Sequence, residues 1–486
     1  MRALPASSLK PVVSSAFVIF LVAVIFTAMF LCVPAAAQQP ASAALTAPRP
    51  LITQALDESR VKVLKGNTHP LARREFDLGT APATLPMERM LLVLKRSPEQ
   101  ERALRKLLDD QQDKHSPHYH KWLTPGQFGA QFGPSDADMQ TITSWLQSHG
   151  FQVGTTKGRT VLEFSGSASQ VQEAFHTAIH KYIVNGEQHW ANASDPSIPV
   201  ALAPAVAGID SLHNFGRKRM SHFVGMARRE KATGKITISQ REFTFPVSTN
   251  GCNAQDNNCY VVGPYDFATI YGVVPLWNSG VDGTGQHIGI VQDSNINVAD
   301  VHAFRAMFNL PSNDPTVIVD GPDPGILNAG QFGGETEADL DVEWSGAVAK
   351  GATIDLVVSA DTDTTAGIDL SATSIIETNN DAIMSVSFGE CEAFLGTSGN
   401  QFFNALWEQA ASQGVSVFIS AGDEGSASCD RFQGLAPQPA VDGLAVSGIA
   451  STPFNVAVGG TDFQDVFSPT TYWNVTNDIN QASAIG

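Results

Sequence analysis

From Tyr265 onward the chain alternates short apolar runs with helical stretches. The runs are HIGIVQD (287–293), TVIVD (316–320), TIDLVVS (353–359), AIMSVSFG (382–389), VSVFISAGD (415–423) and PFNVAVGG (453–460). Runs this continuous, without polar alternation, read as strands buried on both faces, so a parallel-sheet α/β domain with helices on both sides is predicted. The first half is patterned differently. MLLVLK (90–95) reads as a strand, and Ser97-Pro98-Glu99-Gln100 opens a helix to about Gln112, with a serine cap, proline in the first turn and a capping box. Ser135 caps a helix ending near Gly150, FQVGTTKGRTVLEFSG (151–166) reads as a hairpin, and Ser167 opens another helix. Strands are predicted from His180 to His189 and from Ala205 to Ile209. Two rounds of strand–helix–strand fit a ferredoxin-like α+β unit.

Composition divides the chain further. Arg2 and Lys10 lead into an apolar stretch from Val12 to Val33, followed by Ala35-Ala36-Ala37, so residues 1–37 read as a secretory signal. The stretch is long enough to span a bilayer, and an uncleaved anchor is the alternative. Either way the remainder is expected outside the cytoplasm, secreted or periplasmic, with no membrane association once the signal is cleaved. Residues 38–52 are Ala/Pro-rich and expected to be a disordered spacer, 53–215 form the first compact unit, and 216–254 are a basic linker exposed to processing between Arg217 and Ser248. Residues 255–486 form the second domain. Net charge is −18, yet residues 255–486 carry 29 acidic against 3 basic side chains, while residues 1–254 carry a balance of +8. Halves of opposite sign suggest an electrostatic partnership between them, and the acidic half would repel nucleic acid. Beyond Cys32, four cysteines remain, which in an exported protein favours disulfides, and none has zinc-site spacing.

The chemistry centres on GETEADLDVEWSGAVAK (334–350). Glu337 and Asp341 stand four apart, which on a helix puts both carboxyls on one face, where they share a proton and raise at least one pKa. Glu335 and Asp339 make a second such pair, and spacing alone does not choose between them. Asp423 lies in a Gly-flanked turn after a predicted buried strand, where open parallel sheets place their active crevice. Ser387-Phe388-Gly389 ends another strand and could offer an edge to an extended peptide.

Together these motifs resemble the sedolisin (serine-carboxyl peptidase) family, the acid-acting relatives of subtilisin. HYHKWLTPGQF and SWLQSHGF are similar to its activation prodomain, PYDFATIY and GTGQHIGI to the opening of its catalytic domain, EADLDVEW to its Glu-x-x-Leu-Asp helix, SVSFG to its substrate strand and SAGDEGS to its oxyanion turn. The resemblance implies a ferredoxin-like prodomain followed by a subtilisin-like parallel-sheet domain, incomplete at its C-terminus. It selects Glu337 as general base and Asp341 as the orienting acid over Glu335/Asp339, makes Asp423 the oxyanion donor, and gives Ser387, Phe388 and Gly389 to the substrate. A carboxyl-based site of this kind implies an optimum around pH 3–5. After Cys259 only His287 and His302 remain, both before the Glu337 helix, which leaves a subtilisin-order His triad no good candidate. The family's nucleophilic serine, in a Gly-Thr-Ser motif, and its calcium ligands are expected beyond Gly486. Gly459-Gly460-Thr461 is followed by Asp462 and is not that motif. A chain ending there is expected to be inactive and poorly stable.

The resemblance further implies a Cys391–Cys429 disulfide between the substrate wall and the oxyanion turn, beside a local Cys252–Cys259 loop. Proteins or peptides are the implied substrates, the prodomain an intramolecular inhibitor, and the chain a monomer. The charge asymmetry adds an expectation: the basic first half caps the acidic domain at neutral pH, its partner carboxylates have depressed pKa values, and acid releases it. The reading from another class is a secreted, non-catalytic peptide-binding protein that uses the same SVSFG edge.

Overall fold

The computed structural model describes residues 48–219, 227–229, 236–238, 262–327, 333–430, 439–461, 469–474 and 476–485. The signal segment, most of the linker with its processing site, and Cys252 and Cys259 lie outside the described residues.

In the first unit, β1 (Pro86–Leu94), β2 (Gln152–Val153), β3 (Val161–Ser167) and β4 (Val206–Ile209) form an antiparallel sheet in the order β2-β3-β1-β4. Helices lie between β1 and β2, and Ala168–Phe175 lies between β3 and β4, which is the ferredoxin-like connectivity. The helices begin where side chains satisfy their orphan N–H groups. Ser97 accepts from the Gln100 amide while the Gln100 side chain accepts from Ser97, and Thr124, Ser135 and Ser167 repeat the device.

Two expectations are corrected. The segment 180–189 is two strands, Ile179–Val184 and Glu187–Asn192, reversed at Asn185-Gly186, both of positive φ. An Asn-Gly pair suits that tight turn. The spacer predicted over 38–52 is ordered at its end: the Leu51 and Ile52 amides donate to the Asp138 carboxylate at 2.8–3.0 Å. Asp138 is fully buried, and a buried carboxylate needs such donors.

The second unit holds β5 (His287–Gln292), β6 (Thr316–Val319), β7 (Thr353–Val358), β8 (Ile383–Val386), β9 (Ser416–Ser420) and β10 (Val456–Val458). All are parallel, in the order β6-β7-β5-β8-β9-β10, and each corresponds to one of the apolar runs. Helices Val298–Met307 and Gly334–Val348 cover one face around Ile290, Val301, Val342 and Leu356. Helices Gly367–Thr378 and Glu392–Ser412 cover the other around Val291, Ile376, Met384 and Trp407. The strand order reverses direction between β5 and β8, the position outside whose carboxyl ends such sheets bind ligands.

Leu91, Val93 and Val161 of the first unit belong to the same core cluster as Met384 and Trp407. The ferredoxin-like sheet therefore packs on the helices Gly367–Thr378 and Glu392–Ser412 of the second unit, each fully buried aliphatic side chain contributing about 1.5–3 kcal/mol. Charge follows the same seam. Arg89 pairs with Asp320 at 2.8 Å, Arg96 and Arg105 reach Glu408 at 2.9 and 3.0 Å, and the Lys157 amide donates to Glu377 at 2.7 Å. The basic first half and acidic second half meet as their composition suggests.

Candidate active site

The Gly334–Val348 helix buries Ala338 and Val342 against the sheet, and this fixes its rotation. Glu337 is thereby buried, and Asp341 comes one turn later on the same side. Asp341 is caught between two strand ends. The Ser387 hydroxyl, immediately after β8, donates to its Oδ1 at 2.6 Å, and the Gln292 amide, last in β5, donates to its Oδ2 at 2.7 Å. Because β5 and β8 pair with Val291 opposite Val386, the next residues of both strands emerge side by side. Burial and the charge of Glu337 push the Asp341 carboxyl up to about 8, against the two hydrogen bonds, which favour ionisation.

The competing pair faces elsewhere. Burial, then Glu335 and Asp300, pushes Asp339 up to about 7, and burial, then Asp339 and Asp300, pushes Glu343 up to about 8. Raised pKa values therefore do not single out one pair. Hydrogen bonds from strand ends at the switch point do, and they belong to Asp341.

Asp423 follows β9 and is exposed in a turn where Gly422 takes φ +91°. Since β9 pairs in parallel with β8, Asp423 lies at the same edge of the sheet as Ser387. Cys391 and Cys429 form a disulfide there, with Cα atoms 4.9 Å apart. Asp361, after β7, is pushed up to about 6 by burial first and by Asp293 second.

The Phe388–Gly389 edge is occupied by the chain itself. Lys218 and Arg219 pair antiparallel with Gly389 and Phe388, so the linker enters as an extended segment. Arg219 bonds Asp293 at 2.7 Å and sits over the Phe388 ring. Just before it, buried Arg217 meets Asp369 at 2.7 Å and Asp210 at 3.7 Å. Gln292, Asp293 and Asp369 were not singled out from the sequence. The available signal was polar residues closing or following apolar runs, as in HIGIVQD.

A Gly-Thr-Ser triplet also escaped the sequence reading, at Gly396–Ser398. It sits near the start of the Glu392–Ser412 helix, where Gly396 has φ +64° and breaks the helical path. Ser398 is buried, its hydroxyl accepts from Asn67 of the first unit, and a Cβ on Gly208 of β4 would lie 2.6 Å from its own Cβ. It faces the ferredoxin-like sheet, whereas the hydroxyl on Asp341 is that of Ser387.

The interface carboxyls correct one expectation. Acid release of the first unit was expected from depressed pKa values. Glu408 and Asp210 are instead raised, both by burial above all, Asp210 also by the charge of Asp369.

The α/β domain thus carries a carboxyl pair at its switch point, and its Phe388–Gly389 edge pairs with the segment that follows the ferredoxin-like unit. Comparison with known proteins gives this arrangement its context. Residues 76–215 match the family described as Pro-kumamolisin, activation domain. The chain is 28% identical to Sedolisin of Pseudomonas sp. (strain 101) over 74% of its length, covering 58% of that protein. It is 26% identical to Kumamolisin of Bacillus sp. (strain MN-32) over 71%, covering 57%, and 24% identical to Tripeptidyl-peptidase 1 of Canis lupus familiaris over 76%, covering 61%. The chain is thus similar to sedolisin-type peptidases, and it spans less than two thirds of the length of these relatives.

Proposed function

We propose that this chain is the precursor portion of an exported, acid-acting serine-carboxyl peptidase that hydrolyses peptide bonds in proteins. Glu337 is the general base that takes the serine proton and returns it to the leaving amine. Asp341 orients Glu337 and shares its proton, and a protonated Asp423 donates to the tetrahedral oxyanion. The observation that carries this reading is Asp341, one helical turn from buried Glu337, held by Ser387 and Gln292 and pushed up to about 8. A carboxyl that holds its proton so firmly supports proton transfer in acid.

The linker strand on Phe388–Gly389 supports an extended peptide in that cleft and the prodomain as intramolecular inhibitor. Among the described residues no helix is long and apolar enough to cross a membrane. Calcium, which the resemblance implies, enters no step of this reading.

The test is hydrolysis of a denatured protein between about pH 3 and about pH 7 by the full-length protein. Activity confined to acid and abolished in Glu337→Gln is expected. Activity that survives Glu337→Gln would overturn the assignment. The same linker strand also favours a second reading, a non-catalytic peptide-binding protein, which predicts retention of an intact peptide.

A further inference from the structure

At the opposite end of β5 from Gln292 lies a second cluster. His287 opens β5 with its side chain 47% exposed, Asp355 is the third residue of β7, and Asp381 lies two residues before the first residue of β8. One donor atom from each lies within 4.8 Å of the others, and His287 Nδ1 is 2.7 Å from Asp355 Oδ2. We propose that His287, Asp355 and Asp381 form a binding site for a divalent transition-metal ion, with one imidazole nitrogen, two carboxylate oxygens and water on the open side.

Three observations support it. Both aspartates are buried, at 6% and 3% exposure, and among the described residues neither has a lysine or arginine partner. Asp381 Oδ1 is buried with no hydrogen-bond partner, a costly arrangement that a cation would relieve. Room for Asp381 depends on Gly289, where a Cβ would come 3.0 Å from the Asp381 carboxyl carbon. Burial and the neighbouring Asp355 push Asp381 up to about 7, in keeping with two crowded carboxyls.

The donor set indicates the ion. One imidazole with two carboxylates suits zinc, cobalt or manganese at about 2.0–2.2 Å per bond. Calcium would require six to eight oxygens. Small rotations that replace the His287–Asp355 hydrogen bond with two bonds to a shared ion are sufficient. The five-residue rise from His287 to Gln292 is about 16 Å, so the ion would not touch the candidate active site. Its role is to tie β5, β7 and the turn before β8 together. The Asp300, Glu335 and Asp339 group offers only oxygens, and none of its members is as deeply buried.

The purified chain, stripped with chelator, is titrated at about pH 7 with zinc by calorimetry and with cobalt by visible absorption. Saturable uptake of one equivalent is expected, weakened about tenfold or more in His287→Ala and in Asp381→Asn. His287 is half exposed, so its removal should leave the fold intact, with far-ultraviolet circular dichroism as the check. Selective broadening of the His287 ring resonances by manganese in the unmutated chain is the independent readout. Absence of saturable uptake, uptake that persists in both variants, or no broadening of His287 overturns the proposal.

Discussion

Replacing Asp341 with asparagine should stabilise the protein at neutral pH and have little effect in acid. The native carboxyl is pushed up to about 8, whereas in the unfolded chain an aspartate titrates near about 3.9. Between those values the folded state binds more protons than the unfolded state, so this group's contribution falls as pH rises. At about 1.4 kcal/mol per pH unit, moving from about pH 4 to about pH 7 costs up to about 4 kcal/mol. The proton is shared with Glu337, and ionisation of either partner relaxes the other, so we expect about half of that, ~2 kcal/mol. Asparagine keeps the shape. Ser387 can still donate to its Oδ1, and Gln292, whose Oε1 is buried without a partner, can turn its amide to accept from the new Nδ2. Urea denaturation of both proteins at pH 4 and pH 7 reads the difference. A variant equally displaced from wild type at both pH values, or less stable at pH 7, would refute a raised Asp341.

Three further outcomes are expected. Arg217→Met leaves Asp369 and Asp210 buried without their cation and should cost about 3–5 kcal/mol at pH 7, less at pH 4, where Asp210, raised by burial, holds its proton; equal loss at both, by denaturation, would contradict this. Reducing Cys391–Cys429, which closes a 38-residue separation, should lower stability by about 4 kcal/mol, and a denatured thiol count should rise by two; an unchanged unfolding midpoint would refute it. Asp210→Asn should tighten a linker-cleaved prodomain on its partner at pH 7 and have little effect at pH 4, measured by calorimetry; weaker binding at pH 7 would exclude the raised Asp210.

The fold was legible where local chemistry and global packing agree. Six continuous apolar runs became six parallel strands because strands covered by helices on both faces have no solvent side to mark with polar residues. Ser97, Ser135 and Ser167 capped the predicted helices because their side chains bond the amide three residues on, a purely local event. The order of Leu51 and Ile52 was illegible because it depends on Asp138, 86 and more residues away, whose burial no local pattern declares. At the site, helical spacing allowed two carboxyl pairs. Only the register of β5 with β8, which sets Gln292 beside Ser387, distinguishes Asp341 from Asp339. Ser398 shows the converse. Its motif is legible, yet its neighbours Asn67 and Gly208 belong to the other unit.

Charge shows the same division between what composition carries and what burial decides. An excess of carboxylates in residues 255–486 and of basic side chains before them correctly anticipates attraction across the interface. It does not anticipate the sign of the pH response. Attraction to Arg96 and Arg105 lowers the Glu408 pKa, but burial raises it by more, and the net shift is upward. Asp210 is raised likewise, by burial and by Asp369. A carboxyl whose pKa rises on burial contributes its stability fully below its free value and loses it as pH rises through the shifted one. These two groups therefore strengthen the interface on acidification. Acid release of the prodomain, if it operates in this chain, has to overcome them. The linker strand on Phe388–Gly389, rather than the sheet-to-helix seam, is then the contact whose loss would open the cleft.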